Sequence, residues 1–206
     1  MKEITVPAVA VFDVYDTLVH WRHTVEEMAL EIGRTAREIF ANSVELVAAT
    51  DLGHISYEEY GARMAEQFGL PGYAERVIDG LTPIQEVHEL AHDFHEAGSR
   101  LILASNVGKG ALRSSFENGV LPPLERFHGI VQSCSLGIAK PHTSFFQHIL
   151  ERTGAAPGEH LFLDDNPANL VGAASVGMEV AHINPEAVSS SVKAIRERYL
   201  PETLAA

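Results

Sequence analysis

The sequence predicts an α/β protein with a mostly parallel sheet and an inserted group of helices. Three apolar runs, VPAVAVF (6–12), LILA (101–104) and LFL (161–163), each stop at a polar residue and are followed by a helical pattern. Runs that are apolar at every position are typical of strands buried on both faces of a parallel sheet. Ligands bind at the carboxyl ends of such strands. The polar residues that end these runs are therefore candidates for a functional site.

Helices are predicted in the long segment between the first two strands, which has no good strand pattern. Apolar residues within 28–40 fall near helical spacing. Ser56 and Glu59 predict a capping box at the start of a second helix, which ends near Gly69. A third helix begins at TPIQ (82–85) and leads into the second strand, so we assign it to the core.

The chain after the second strand continues the α/β pattern. Helices are predicted over 142–152, 169–176 and 186–200, and MEVAHI (178–183) predicts an edge strand. We therefore expect one core built from residues 1–19 and 81–206. Residues 20–80 would then form a helical cap, placed where it can act as a lid beside the end of the first strand.

Composition and charge exclude several classes of protein. With 206 residues, 46% hydrophobic and 21% charged, the chain is long and apolar enough to bury a core. Its 15 Lys and Arg against 28 Asp and Glu give a net charge of −13, which argues against nucleic acid as a partner. No apolar run is long enough to span a membrane, and the acidic N-terminal stretch does not resemble a signal peptide. We expect a cytoplasmic protein with no membrane partner, either a monomer or a homodimer.

Four motifs at predicted strand ends or in the loops beside them carry groups suited to catalysis. They are Asp13 in FDVYDT, Ser105 and Asn106 in LILASN, Lys140 in GIAKP, and Asp164 and Asp165 in FLDDNPAN. Each alone is typical of a turn or a helix cap. Together, and in this order, they resemble the haloacid dehalogenase superfamily, whose members are mostly phosphatases with an aspartate nucleophile. The stretches GIAKPHTSFFQHIL and LFLDDNPANLVGAASVGM look like the subgroup with a small helical cap, which includes sugar-phosphate phosphatases.

The resemblance implies a Rossmann-like core with an inserted helical cap, and a magnesium-dependent phosphatase that acts on a small phosphorylated metabolite. It implies catalytic roles for Asp13, Tyr15, Ser105 and Lys140. Asp13 would attack phosphorus and form an aspartyl-phosphate. The residues implied to grip the phosphate are Ser105, Asn106 and Lys140. Those implied to hold Mg²⁺ are Asp13, Tyr15 through its carbonyl, Asp165, and Asp164 directly or through water.

One departure from the family pattern leaves two alternatives open. The phosphatases usually carry a second aspartate two positions after the nucleophile, where this chain has Tyr15, and Asp16 follows instead. A tyrosine there resembles the 2-haloacid dehalogenases, which hydrolyse a carbon ester without metal. Against that alternative, Asp164 and Asp165 stand where dehalogenases have serines, and carboxylates gathered beside Asp13 repel one another without a cation. The second alternative is a related protein with little catalytic activity and a binding or regulatory role.

Overall fold

The computed structural model describes residues 5–201, which form a parallel sheet flanked by helices. The strands are β1 (Val9–Phe12), β2 (Val19–His20), β3 (Thr82–Pro83), β4 (Arg100–Ser105), β5 (Phe127–Gln132), β6 (His160–Asp164) and β7 (Glu179–His182). The helices are α1 (Arg22–Glu31), α2 (Ala36–Asp51), α3 (Tyr57–Phe68), α4 (Tyr73–Asp79), α5 (Gln85–Glu96), α6 (Ala111–Glu117), α7 (Ser133–Leu136), α8 (Thr143–Thr153), α9 (Pro167–Ser175) and α10 (Val188–Tyr199).

The main sheet has five parallel strands in the order β5-β4-β1-β6-β7. Strand β1 lies in the middle, and its Phe12 is level with Leu103 of β4 and Leu163 of β6. The residues that follow, including Asp13 and Asp164, consequently emerge side by side at one edge of the sheet. This confirms the predicted α/β class and places the first and last motifs together.

Alternate residues of β1 explain why its sequence is apolar throughout. Ala10 and Phe12 pack into a core on one face, while Val9 and Val11 pack into a second core on the other. All four side chains are fully buried. Each face is covered by helices, so neither face of the strand tolerates a polar residue.

The insertion α1–α4 has an apolar core of its own. Val25, Met28, Ile39, Met64 and Phe68 are buried together there. The chain enters the insertion through β2 and leaves it through β3, and these two short strands pair with each other in antiparallel fashion. The inserted helical cap predicted from sequence is thus present.

Details of the insertion differ from the sequence-based prediction. Helix α4 was not predicted, since it has only seven residues. Ser56 caps α3 by accepting from the Glu59 backbone N–H, but the Glu59 carboxylate binds Arg63 at 2.5 Å instead of completing a capping box. The complete box forms at Thr35 and Glu38, at the start of α2.

Strand β5 was also missing from the prediction, because it lies at the edge of the sheet and contains His128 and Gly129. Only two of its six residues, Phe127 and Val131, are buried, so the apolar run typical of a central strand is absent. Among the ten helices of residues 5–201, none has the length and apolar character needed to cross a membrane.

Candidate active site

A buried lysine and two carboxylates meet at the carboxyl edge of the sheet. The Nζ atom of Lys140 donates to Asp13 Oδ1 at 2.5 Å, to Asp164 Oδ2 at 2.7 Å and to the Ala104 carbonyl at 3.0 Å. All three charged side chains are buried. Because a buried charge is costly without a partner, this geometry holds Lys140 as a cation between two anions.

Burial and neighbouring charges shift the pKa of Asp13, of Lys140 and of the adjacent Asp165. Burial raises the pKa of Asp13 to about 7, Lys140 opposes the rise, and Asp164 adds to it. Burial lowers the pKa of Lys140, but Asp13 and Asp164 outweigh it and leave the pKa raised. Burial, with Asp164 and Asp16, raises the pKa of Asp165 to about 6. The cluster therefore carries more negative charge than Lys140 alone stabilises.

Three carboxylates of this cluster lie close enough together to hold one metal ion. One oxygen from each of Asp13, Asp164 and Asp165 lies within 4.8 Å of the others. Carboxylate oxygens are the protein ligands that Mg²⁺ prefers. Their chemistry and spacing thus fit a divalent cation, which would relieve their mutual repulsion.

Hydrogen bonds from several directions fix Asp164 in place. Its Oδ1 accepts from the Asn166 backbone N–H at 2.8 Å, and the Asn169 amide donates to Oδ1 and Oδ2 at 2.9 and 3.1 Å. Lys140 occupies Oδ2 as well. An aspartate in place of Asn169 would repel this carboxylate instead of binding it. Asp164 is fully buried beneath the surface on which Asp13 and Asp165 are exposed to the cavity.

The structure assigns different surroundings to the two residues of the Ser-Asn motif. The Asn106 side chain binds the main chain of Lys140, and it also lines the cavity. Ser105 has no exposed surface, and its hydroxyl donates to the Asn106 carbonyl at 3.4 Å. Of the predicted site residues, Ser105 and Asp164 do not line the cavity between the core and the insertion.

Tyr15 and Asp16, two and three residues after Asp13, have different surroundings. Burial raises the pKa of the Tyr15 phenol above its usual range, so this group is neutral at ordinary pH. Asp16 has a positive φ of 58°, and its carboxylate accepts from Trp21 Nε1 at 2.9 Å and from Arg22. Arg22 also lies 3.9 Å from Asp165. Asp16 thus ties the loop after β1 to the start of the cap.

A cavity of about 290 Å³ lies between the core and the insertion. Its core side carries Asp13, Asn106, Lys140 and Asp165. The insertion contributes a largely apolar and aromatic wall, with Val47, Thr50, Asp51, Tyr57, Tyr60 and Tyr73. The cavity is therefore charged at the sheet edge and mostly aromatic and apolar at the cap, where Arg22 and Asp51 are charged exceptions.

Close backbone contacts hold the insertion against the core. A Cβ atom added to Gly108 would lie 2.3 Å from Thr50 Cγ2, and one added to Gly53 would lie 2.3 Å from the Cys134 carbonyl oxygen. The Tyr57 backbone N–H donates to the Lys109 carbonyl at 3.2 Å. The end of α2 and the start of α3 therefore rest directly on the loop that carries Asn106.

The cap residues of the cavity were not identified from the sequence. Tyr57, Tyr60 and Tyr73 follow ordinary helical spacing, so nothing in their pattern separates a cavity wall from a core. Asp51 offered a weak signal, because a carboxylate at the end of a helix opposes the helix dipole. Long-range packing of cap on core decides which of these side chains face the cavity.

Among curated proteins, one relative matches this chain over most of its length and another over a short segment. The chain is 24% identical over 179 residues to the sesquiterpene phosphatase astK of Aspergillus oryzae. The match covers 84% of this chain and 88% of that protein. It is 40% identical over 76 residues to acyl-CoA dehydrogenase family member 10 of Mus musculus. That match covers 35% of this chain and only 7% of the mouse protein.

Solved structures share the fold at low sequence identity. A haloacid dehalogenase family enzyme from Bacteroides thetaiotaomicron, in complex with magnesium and inorganic phosphate, has a TM-score of 0.66 and 20% identity over 85% of this chain and 93% of its own. The L-2-haloacid dehalogenase from Xanthobacter autotrophicus, with chloropropionic acid covalently bound, has a TM-score of 0.65 and 19% identity over 97% and 86%.

The family assignment rests on a match to a family profile over most of the chain. The sequence profile of the haloacid dehalogenase-like hydrolases matches residues 7–177, a range that includes Asp13, the insertion, Lys140 and the paired aspartates. The chain belongs to the haloacid dehalogenase-like hydrolases.

Proposed function

We propose that this hydrolase is a magnesium-dependent phosphatase that cleaves the phosphate monoester of a small alcohol through an aspartyl-phosphate on Asp13. The observation that carries the proposal is the cluster of three carboxylates within 4.8 Å of one another beside Lys140. In a metal-free reaction Lys140 alone would not balance the charge of the three carboxylates. A phosphatase with a divalent cation makes use of all of them.

The residues that would hold Mg²⁺ are Asp13, the Tyr15 carbonyl and Asp165, with Asp164 directly or through water. When bound, Mg²⁺ supplies positive charge for the phosphoryl oxygens. Asp164 also fixes Lys140, as its hydrogen bonds indicate. Magnesium in a family structure supports this assignment by analogy of fold.

The chain's own residues would position the phosphoryl group for attack by Asp13. Lys140 lines the cavity beside Asp13 and provides a fixed positive charge. Asn106 holds the Lys140 main chain in place. Ser105 lies below the cavity wall, so we assign it support of the Asn106 loop in place of the predicted contact with phosphate. Catalysis then consists of positioning and charge stabilisation.

The cap wall favours an alcohol with an apolar part over a sugar. Trp21, Val47, Tyr60 and Tyr73 line the cavity, whereas a sugar needs many hydrogen-bonding groups around it. One relative, which matches 84% of this chain, is named a sesquiterpene phosphatase, and sesquiterpenes are apolar. We accordingly propose a small phosphate ester with a partly apolar leaving group as the substrate.

We also propose that residues 1–19 and 81–206 form the catalytic core and that residues 20–80 form the cap. The β2–β3 pair supports these limits, because the chain crosses between the two parts there. The separate apolar core of α1–α4 supports them as well. In this arrangement the core supplies the chemistry and the cap contacts the leaving group.

A 2-haloacid dehalogenase is the second candidate, and Tyr15 is the observation that favours it. In this structure the phenol lines the cavity beside Asp13. The carboxylate cluster argues the other way, since in a metal-free dehalogenase the charge of Lys140 would have to balance the three carboxylates of Asp13, Asp164 and Asp165.

One pair of assays separates the two functions. Phosphate release from p-nitrophenyl phosphate and chloride release from 2-chloropropionate are each measured with Mg²⁺ and with EDTA. We expect phosphate release that needs Mg²⁺ and stops in Asp13→Asn, while Asp79→Asn, an exposed aspartate of the cap, keeps full activity. Chloride release with an inert phosphate ester would establish the dehalogenase, and phosphate release in EDTA would contradict the metal assignment.

A further inference from the structure

Asp51 is an acidic residue in an electrostatically unfavourable place. It is the last residue of α2, and the last turn of that helix contains no basic residue. The partial negative charge at a helix C-terminus disfavours a carboxylate there. Its side chain is half-buried in the cavity wall and receives no hydrogen bond from the residues described here. Such a conflict with local preference is expected at functional positions.

Two close contacts fix Asp51 at the core side of the cap. Thr50, the residue before it, packs on Gly108, and Gly53, two residues after it, packs on the Cys134 carbonyl. Gly108 belongs to the loop of Asn106, whose amide holds Lys140. The position of Asp51 is therefore set by the same loop that sets the position of Lys140.

The electrostatic neighbours of Asp51 are groups of the catalytic end. Burial raises its pKa to about 6, and Lys140 opposes this shift. Burial is the main cause of the raised pKa of Tyr15 and of Tyr60, and the negative charge of Asp51 adds to it. These three groups line the same cavity as Asp51. The other titratable side chains of the lining are Asp13, Asp16, Arg22, Tyr57, Tyr73 and Asp165. A carboxyl group that exchanges its proton near neutrality is suited to acid-base catalysis.

The loop after β1, which carries Asp13, has no free group for acid-base catalysis. Tyr15 keeps its proton because burial raises its pKa above the usual range. The Asp16 carboxylate already accepts hydrogen bonds from Trp21 and Arg22. A phosphatase with this loop therefore needs its proton donor from elsewhere, and Asp51 is the carboxyl group that the cap brings to the cavity.

We propose that Asp51 is the general acid and base of the reaction, supplied by the cap in place of the aspartate that Tyr15 replaces. The inference rests on the proposed phosphatase function. In the first step an Asp13 oxygen bonds to phosphorus, the bond from phosphorus to the alcohol oxygen breaks, and that oxygen takes the proton of the Asp51 carboxyl. In the second, water bonds to phosphorus and gives its proton to Asp51, and the bond from Asp13 to phosphorus breaks to release phosphate.

Two aromatic esters of similar size test this role. The leaving group of p-nitrophenyl phosphate is a stable anion that needs little protonation, whereas that of 2-phenylethyl phosphate is an alkoxide that needs a proton. Asp51→Asn should lower kcat/KM, which reports only the steps up to loss of the alcohol, by about 10²-fold or more for 2-phenylethyl phosphate, the scale of general acid catalysis, and by less than about tenfold for p-nitrophenyl phosphate. Glu45→Gln removes the same charge from an exposed position on α2 and should change neither rate.

The outcomes distinguish this inference from the function on which it rests. Equal losses with both esters, or no loss with either, would overturn the role of Asp51 while leaving the phosphatase intact. A wild-type protein that releases phosphate from neither ester would overturn both. Thermal unfolding of Asp51→Asn serves as a check on folding. Asparagine is acceptable at a helix end, so its melting temperature should be no lower than that of the wild type, and a lower value with both rates reduced would count against the proposal.

Discussion

The side-chain amide of Asn106 forms hydrogen bonds with both the main-chain N–H and the main-chain carbonyl of Lys140. Its Oδ1 accepts from the Lys140 N–H at 2.8 Å, and its Nδ2 donates to the Lys140 carbonyl at 2.9 Å. Lys140 in turn reaches Asp13 and Asp164 through Nζ. Two loops that are distant in sequence are thereby locked together, and the direction of the lysine is fixed before any ligand arrives.

Replacement of Asn106 by alanine should therefore act through Lys140. Asn106→Ala leaves a main-chain donor and acceptor of Lys140 without partners, which costs about 1–3 kcal/mol of the free energy of unfolding if they stay dry. We expect a lower kcat with p-nitrophenyl phosphate as Lys140 loses its position. Asn118→Ala, at an exposed helix end, is the control. Urea denaturation and steady-state kinetics measure both effects, and an Asn106→Ala protein with wild-type kcat would refute the positioning role.

The contact of Gly53 with Cys134 predicts a difference between two glycine substitutions. Gly53 and Gly33 both have positive φ, 75° and 65°, so alanine is strained by about 1–2 kcal/mol at either position. A Cβ at Gly33 meets no atom within 4 Å, whereas one at Gly53 overlaps the Cys134 carbonyl. Gly53→Ala should therefore be about 1–3 kcal/mol more destabilising than Gly33→Ala in urea denaturation. Equal effects would show that the end of α2 is not pressed on the core.

The carboxylate cluster predicts a thermal response to Mg²⁺. A ligand that binds only the folded protein adds about 2.7 kcal/mol at a concentration of 100 times its Kd. We expect Mg²⁺ to raise the melting temperature and EDTA to reverse the change. Asp165→Asn should abolish most of the response and, by removing a like charge from the cluster, should stabilise the metal-free protein. Asp79→Asn should respond like the wild type, and a full response in Asp165→Asn would exclude Asp165 as a ligand.

The environment of Asp51 predicts how stability depends on pH. Burial raises its pKa from 3.8 to about 6, so the folded protein binds this proton more tightly than the unfolded chain. The contribution of Asp51 to the free energy of unfolding is complete below pH about 4 and is lost as pH rises through about 6. Two pKa units correspond to at most about 3 kcal/mol, and less for a side chain that keeps some solvent.

Asp51→Asn removes that dependence. The unfolding free energy of the variant minus that of the wild type should become more positive between pH 4 and 7, by up to the same amount. The corresponding difference for Glu45→Gln should stay level, because that residue is exposed. A flat difference for Asp51→Asn in urea denaturation across this range would show that the Asp51 carboxylate is well solvated.

The parts of the site that could be predicted from sequence are those fixed by short stretches of chain. Asp13 follows one buried strand and Asp164 ends another, and parallel strands end at one edge, so their proximity follows from local pattern and sheet geometry. The helical insertion was predictable for a similar reason, since helical spacing and turn residues are local. Strand β5 was not, because an edge strand lacks the apolar run that marks the central strands.

Contacts between distant segments could not be read from the sequence. Asn106 was predicted as a residue of the site, but its partner is the main chain of Lys140, which only the folded loops bring near. Ser105 was predicted as a phosphate ligand, which stays a prediction, and its burial with the hydroxyl 3.4 Å from the Asn106 carbonyl could not be read from the sequence. Asp51 reaches the cavity because Gly108 and Gly53 have no side chains to keep α2 away.

The pairing of β2 with β3 has a consequence for how new specificities arise in this fold. Because Val19–His20 and Thr82–Pro83 lie side by side, both junctions of the insertion are at one place on the core. A recombination event at those two strands would exchange the whole wall around the leaving group as a single cassette and leave Asp13, Lys140 and Asp165 untouched. If Asp51 is the proton donor, it lies within the exchanged segment, so substrate specificity and acid catalysis would change together. The nucleophile Asp13 lies outside that segment and would be inherited independently.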